Sequence, residues 1–122
     1  MMILVDTSVW IDHFRQKEPV LVDLLNTNCV LGHPFVRGEI ALGHLKQREI
    51  ILTALDNLPQ APIAFVDEIN PYIEKYTLFG LGIGFIDVHL LASTQLSINT
   101  KLWTRDKRLL AVASRLNLAY IP

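Results

Sequence analysis

The sequence predicts an α/β domain in which a short, mainly parallel sheet lies between two layers of helices. Short apolar runs alternate with segments of helical periodicity from one end of the chain to the other. The first of these runs, Met2–Val5, is apolar without a break, as expected for a strand that is buried on both faces. No repeat, low-complexity tract or change of composition divides the chain, so residues 1–122 are predicted to form a single domain.

Composition narrows the class of protein before any motif is considered. The chain has 122 residues, enough for a core without disulfide bonds, and Cys29 is its only cysteine. A lone cysteine favours a reducing, cytoplasmic setting. We expect no signal peptide, and no apolar segment approaches the roughly 18 residues of a membrane-spanning helix. The net charge of −1 argues against a generally basic nucleic-acid-binding protein, although local basic patches remain open.

The first half of the chain opens with its clearest strand. The apolar run Met2–Val5 ends at Asp6, which places an acid directly after a buried strand. Periodicity and turn residues predict the other elements of this half, which are helices over residues 8–14, 18–26 and 49–58, a strand over 29–31 and a helix from Pro34 through about Leu45. A poorly delimited apolar run, Ile63–Val66, is predicted as a third strand.

The second half contains a glycine-rich loop between two helices. The loop is Gly80–Gly84, and strong apolar periodicity predicts the helix that follows it, from Phe85 to about Ser97. The other elements of this half are a helix over 67–79 with Pro71 in its first turn or at a kink, a strand over 101–104, a helix from 105 to about 115 and a last strand over 118–121. Strands that alternate with helices in this way form parallel sheets.

Four acidic residues are notable for their positions in these elements. Asp6 follows the first strand, Glu39 lies early in a helix, Asp87 lies in the first turn of an apolar helix, and Asp106 opens a helix after a strand. Each could instead be a helix cap, a residue that complements a helix dipole, or a surface acid. A single pocket explains all four together, because ligands of open parallel α/β sheets bind at the carboxyl ends of the strands.

Such a pocket would require a cation, because carboxylates that share a site repel one another. A set of oxygen ligands suits Mg²⁺ or Mn²⁺ rather than zinc. The histidines lack the paired spacing of a zinc site and are interpreted as surface or core residues: His13, His33, His44 and His89. Without a nucleotide-binding loop, a carboxylate-bound metal indicates phosphoryl chemistry on a substrate that supplies its own phosphates.

Four ordered motifs carry a resemblance that covers essentially the whole chain. They are Leu4–Ile11 (LVDTSVWI), Arg37–Ala41 (RGEIA), Phe85–Val88 (FIDV) and Leu102–Leu109 (LWTRDKRL). In this order and spacing the chain resembles a PIN domain and, more closely, the VapC toxins of bacterial VapBC toxin–antitoxin pairs. Any one of the motifs is weak evidence, whereas the ordered set is fairly specific.

The resemblance implies an activity, a site and partners. It implies an endoribonuclease of PIN-like fold that uses Mg²⁺ or Mn²⁺, with Asp6, Glu39, Asp87 and Asp106 as catalytic and metal-binding residues. Thr7, Ser8 and Thr104 are implied as supporting hydroxyls. It also implies an RNA substrate, a homodimer, and a small antitoxin whose tail blocks the pocket.

Other classes of protein share some of these features. A receiver-like signalling domain also has a Mg²⁺ pocket, but it typically pairs two acids after its first strand and has a lysine after its last, which this chain lacks. An inactive PIN-like module could bind a partner or RNA without cleavage, although mutually repelling carboxylates would then serve no purpose. A dinucleotide-binding fold needs G-x-G-x-x-G between a strand and a helix, and Gly80–Gly84 has neither the spacing nor the preceding strand.

Two surfaces are candidates for contact with partners. The apolar residues Trp10, Ile11 and Phe14 of the first helix are expected to be exposed and to form a docking groove for a helix of the antitoxin. Some of the basic residues are expected to contact the RNA backbone, and the candidates are Arg15, Lys17, Arg37, Lys46, Arg48, Lys101, Arg105, Lys107 and Arg108.

Overall fold

The computed structural model describes all 122 residues, which form seven helices and a three-stranded sheet. The elements, in chain order, are β1 (Met2–Val5), α1 (Thr7–Arg15), α2 (Pro19–Asn26), β2 (Val30–Leu31), α3 (Pro34–Ala41), α4 (Arg48–Asp56), α5 (Val66–Tyr76), α6 (Phe85–Leu96), β3 (Thr100–Trp103) and α7 (Lys107–Arg115). None of the seven helices combines the length and the hydrophobicity that a membrane-spanning helix requires.

The sheet has the order β2–β1–β3, and all its strands are parallel. In the central strand β1, Leu4 lies opposite Leu31 of β2 and Leu102 of β3. Successive side chains of a strand point to opposite faces, yet Ile3, Leu4 and Val5 are all buried. Both faces of the sheet are therefore covered, which confirms the predicted α/β fold with a parallel sheet between layers of helices.

The predicted strand Ile63–Val66 is wrong. The chain meets the edge of the sheet earlier, where Gln60 forms a single parallel bridge with Gly32. Pro62 follows and has no N–H with which to extend a ladder of hydrogen bonds. The three large apolar side chains of the run are at least half exposed, so the run is not a buried strand, and α5 begins at the last of them.

The predicted last strand, Leu118–Ile121, is also reduced to one bridge. Leu102 of β3 donates its N–H to the carbonyl oxygen of Leu118 over 2.7 Å and accepts from the N–H of Tyr120 over 2.8 Å, so that it bridges Ala119. Hydrogen bonds to a single residue of β3 do not make a strand. The sheet therefore keeps only the three strands that pair with one another.

The remaining predicted elements are confirmed to within a few residues, with two differences in helices. The helix that begins at Pro34 ends at Ala41 rather than near Leu45. The chain then turns, and Gln47, with a φ of 53°, lies in the left-handed region before α4 begins. Pro71 occupies the sixth position of α5, outside the first turn in which prolines are usually accommodated.

Candidate active site

Two of the predicted acids are brought together by adjacent strands. Val5 of β1 lies opposite Trp103 of β3, so the residues that follow these strands, Asp6 and Thr104, are neighbours at the carboxyl edge of the sheet. The hydroxyl of Thr104 donates to Asp6 Oδ2 over 2.8 Å and accepts from the backbone N–H of Asp106 over 3.1 Å. Asp6 and Asp106 are therefore joined through one side chain.

A second hydroxyl holds the same oxygen of Asp6. Ser8 Oγ donates to Asp6 Oδ2 over 2.6 Å, and the backbone N–H of Ser8 is 3.4 Å from that oxygen. Asp6 is only 6% exposed, and these bonds offset much of the cost of burying a carboxylate. The structure thus places Ser8 and Thr104 in contact with Asp6, as expected for supporting hydroxyls.

Glu39 is connected to this edge through the third hydroxyl. Thr7, the first residue of α1, donates from Oγ1 to Glu39 Oε1 over 2.7 Å. Glu39 lies on α3 and is exposed, whereas Thr7 directly follows Asp6 in the chain. The bond therefore ties the carboxylate of α3 to the turn between β1 and α1.

Asp87 lies in the first turn of α6, where its Oδ2 accepts from the backbone N–H of Gly84 over 3.0 Å. Burial raises the pKa of Asp87, and the negative charges of Asp6 and Asp106 raise it further, although the bond from Gly84 opposes these effects. Asp87 is therefore close enough to both of the other aspartates to feel their charge.

The four carboxylates share one arrangement, in which one oxygen is held and the other is free. The held oxygens are Asp6 Oδ2, Glu39 Oε1, Asp87 Oδ2 and Asp106 Oδ1, and the last accepts from the N–H of Leu109 over 2.9 Å. The second oxygen of each carboxylate accepts no hydrogen bond from the protein. This free oxygen reaches solvent even in Asp6, although the residue is buried. If the oxygen were buried as well, it would be a buried polar atom without a partner, and the only such side-chain atoms are the two ring nitrogens of His89.

Four free carboxylate oxygens are suitable ligands for Mg²⁺ or Mn²⁺. No three of the histidine, cysteine and acidic side chains converge closely enough to hold a metal ion by themselves. Mg²⁺ does not require such a cage, because it usually retains several waters and is held by one or two carboxylates together with phosphates of the substrate. The chemistry of the oxygens fits a water-rich site at this edge.

The capping interpretation is also correct for three of the acids. Asp6 and Asp106 are the N-caps of α1 and α7, and Asp87 accepts from the N-cap residue of α6. A cap needs only one carboxylate oxygen. Capping and metal binding are therefore compatible at these positions, although from the sequence alone they are alternatives.

The basic residues that were candidates for contact with RNA divide into two groups. Four bond within the chain: Arg37 to Asp56, Arg48 to the carbonyl of Ala41, Lys101 to the carbonyl of Asn117, and Arg105 to Asp12 and Glu18. The others are exposed and donate no hydrogen bond to the protein: Arg15, Lys17, Lys46, Lys107 and Arg108. Only Arg37 and Arg105 pair with acids, so the second group has both its charge and its donors available for another molecule.

A groove runs between α1 and α4. A cavity of about 780 Å³ and a smaller one of about 200 Å³ share Phe14 and Ile51 in their linings. Arg15 and Lys46 lie along the larger cavity, and Trp10 lines the smaller one. The expectation that Trp10 is exposed is wrong, because only 5% of the residue is accessible, whereas Phe14 and Ile51 are half-buried.

Two of the histidines, His33 and His89, are core residues. The Nδ1 of His33 accepts a hydrogen bond from the N–H of Phe35 and so caps α3. The ring proton is therefore on Nε2, which is 3.0 Å from Ser93 Oγ and donates to it. His89 is buried with neither ring nitrogen bonded, and its ring packs edge-on to Phe35 and Phe85 at 4.8 Å from each. Both rings are therefore neutral structural groups.

The burial of His33 should make stability depend on pH. Burial, reinforced by nearby His89, lowers the pKa of His33 from 6.5 to about 4. Between these values the unfolded chain takes up a proton that the folded chain does not, so the free energy of unfolding should fall as pH drops from 6.5 toward 4, by on the order of 2 kcal/mol.

Urea denaturation of the parent and of His33→Asn at pH 7.5 and pH 4.5 measures this effect. Asparagine retains the cap, so the variant should remain folded with a smaller difference between the two pH values. His44→Asn, at an exposed histidine, should behave like the parent. An undiminished difference in His33→Asn would rule out His33 as the source.

A parallel α/β/α domain with four acids at the carboxyl edge of its sheet has the architecture of a PIN-like domain. No protein-family model matches the chain. The chain is 45% identical over 118 residues to Ribonuclease VapC32 of Mycobacterium tuberculosis (strain CDC 1551 / Oshkosh), and the match covers 97% of this chain and 95% of the relative. The same values hold for Ribonuclease VapC32 of strain ATCC 25618 / H37Rv. At this identity over nearly the full length of both proteins, the chain belongs to the VapC family of ribonucleases.

Proposed function

We propose that this protein is a Mg²⁺- or Mn²⁺-dependent endoribonuclease and the toxin component of a type II toxin–antitoxin pair. The observation that carries the proposal is that four carboxylates at one edge of the sheet each keep one oxygen free of protein hydrogen bonds. Membership of a family whose relatives are named ribonucleases supports RNA as the substrate.

In the proposed mechanism the protein supplies ligands and orientation rather than a nucleophile. Asp6, Asp87 and Asp106 would hold the metal ion directly or through water, with Glu39 completing the set. The bound ion would acidify a water for in-line attack on an RNA phosphodiester and would neutralise charge on the phosphoryl oxygens. Ser8 and Thr104 hold the inner oxygen of Asp6 and so direct its outer oxygen toward the site. The expected products carry a 5′-phosphate and a 3′-hydroxyl.

Removal of metal tests this proposal directly. Cleavage of a structured RNA should occur with Mg²⁺ or Mn²⁺, should stop in EDTA, and should return when an excess of either ion is added. Analysis of the product ends should show a phosphate on the 5′ end of the downstream fragment and a hydroxyl on the 3′ end of the upstream fragment. Undiminished cleavage in EDTA would exclude the metal-centred mechanism. RNA binding without any cleavage in either metal would favour the inactive PIN-like module instead.

We also propose that an antitoxin occupies the groove between α1 and α4 and reaches the carboxylates with an arginine. The groove offers the half-buried apolar side chains of Phe14 and Ile51 to the apolar face of a partner helix. An arginine fork would match the free carboxylate oxygens at the edge of the sheet. Family membership supports a homodimer as the form that binds the antitoxin, and size-exclusion chromatography of the co-expressed pair measures the stoichiometry.

A further inference from the structure

Arg105 joins separate segments of the chain through its side chain and its backbone. Its guanidinium donates to Asp12 Oδ2 on α1 over 2.8 Å and to Glu18 Oε2 at the start of α2. The same group lies over the ring of Trp103, 5.7 Å from the centroid. The backbone N–H of Arg105 donates to Ser8 Oγ over 3.0 Å. These contacts hold both the backbone and the guanidinium of Arg105 at the carboxyl edge of the sheet.

The backbone contact connects Arg105 to the carboxylates. The hydroxyl of Ser8 that accepts from Arg105 is the one that donates to Asp6 Oδ2 over 2.6 Å. On the other side, Arg105 directly precedes Asp106. The position of the turn that contains Arg105 therefore affects two of the four carboxylates at once.

We propose that Arg105 is a positioning residue whose ion pairs with Asp12 and Glu18 fix the turn that carries Asp106, and with it the hydroxyl that orients Asp6 for a metal ion. This inference rests on the proposed function. The guanidinium contacts neither Asp6 nor Asp106, so Arg105 acts on these two residues through its backbone. A planar fork with several donors suits this role, because it bonds at the same time a carboxylate on α1 and one at the N-cap of α2.

An alternative role for Arg105 is contact with an RNA phosphate, which the sequence suggested. The structure argues against it, because two carboxylates already occupy the guanidinium. The hydrogen bond from Arg105 is the main cause that lowers the pKa of Glu18, and the bond to Asp12 is the main cause that raises the pKa of Arg105, so each group favours the charged form of the other. An arginine bound in this way is a poor donor to a phosphate.

Binding of Mn²⁺, measured by calorimetry without RNA, distinguishes these roles. In Arg105→Ala the Kd for Mn²⁺ should rise about tenfold, the lower end of what loss of an outer contact costs a metal site. Charge alone predicts the opposite sign, because removal of a cation makes the site more negative and should tighten binding of Mn²⁺. Arg105→Lys should be intermediate, because an ammonium cannot reproduce the planar fork. The double variant Asp12→Asn/Glu18→Gln should also bind Mn²⁺ more weakly.

Binding of RNA in EDTA, at two salt concentrations, completes the test. Arg105→Ala should bind RNA within about twofold of the parent and with the same salt dependence. A matched control is Arg115→Ala, an exposed arginine at the far end of α7 that bonds the carbonyl of Tyr76, and it should match the parent in both assays. Circular dichroism should show all variants folded, because exposed ion pairs contribute little to stability.

Several results would overturn the inference. One is unchanged or tighter binding of Mn²⁺ in Arg105→Ala. Another is weaker RNA binding in Arg105→Ala, with the slope of its salt dependence reduced by about one, combined with tighter RNA binding in the double variant. This combination would identify a contact between Arg105 and an RNA phosphate. A parent protein that neither binds Mn²⁺ nor cleaves RNA would overturn the proposed function as well. The parent measurements therefore separate the two failures.

Discussion

Replacement of Asp6 by asparagine is expected to lower metal-dependent RNA cleavage at least about a hundredfold while the fold survives. The amide oxygen of asparagine can still accept the hydrogen bonds that Ser8 and Thr104 donate, so the turn after β1 keeps its shape. The free oxygen and the negative charge are lost. Without metal, Asp6→Asn should be at least as stable as the parent, because it relieves the repulsion that Asp6 exerts on Asp87.

The measurement is single-turnover cleavage of RNA by the parent and the variant with saturating Mg²⁺, together with urea denaturation in EDTA. Asp23→Asn is the matched control, because Asp23 is exposed on α2 and makes no side-chain hydrogen bond. Asp12 would be a poorer control, because it binds Arg105. Equal cleavage by Asp6→Asn and the parent would falsify the assignment of Asp6.

Replacement of Ile51 by aspartate is expected to weaken binding of the antitoxin at least about thirtyfold and to leave nuclease activity in place. Ile51 lines both cavities of the groove between α1 and α4 and so lies near its centre. Apolar contacts at the centre of an interface contribute most to the binding energy. A buried carboxylate facing an apolar partner helix also adds a desolvation cost. The groove is separate from the four carboxylates, so cleavage by the free variant should match that of the parent.

The neighbouring residue provides the control for this prediction. Ile50 is 66% exposed and lines a different, shallower surface of α4 with Glu49 and Thr53. Ile50→Asp introduces the same charge one position away and should bind the antitoxin like the parent. Calorimetry with the purified antitoxin measures both affinities. Equal weakening in the two variants would indicate a general effect of charge on α4, and no weakening in Ile51→Asp would place the antitoxin elsewhere.

The central strand β1 could be predicted because its sequence alone describes its environment. Met2–Val5 is apolar throughout and mostly buried, so continuous apolar character was sufficient. The runs at Ile63–Val66 and Leu118–Ile121 are equally apolar but lie at the edges, where pairing depends on how the chain arrives from elsewhere. Local pattern cannot distinguish an edge bridge from a strand.

The site shows the same division between local and distant information. The four acids were predicted as a site from their positions near the ends of strands and within helices. Their orientation depends on contacts that no local pattern contains, such as the bond from Thr104 to Asp6, which are 98 residues apart. Arg105 was identified only as a cation. Its partners, Asp12 and Glu18, lie 93 and 87 residues away, so its ion pairs became visible only in the folded chain.

The use of aspartates as helix caps constrains how a protein of this kind could lose its activity. Alanine at position 6 or 106 would remove both the chemistry and the cap of a helix, at a cost of about 1 kcal/mol for each cap. Asparagine would remove the chemistry alone, since it caps helices as well as aspartate does. Descendants of such a nuclease that survive only as binding proteins should therefore carry asparagine at these positions, as a mark of an enzyme that lost its catalysis but kept its architecture.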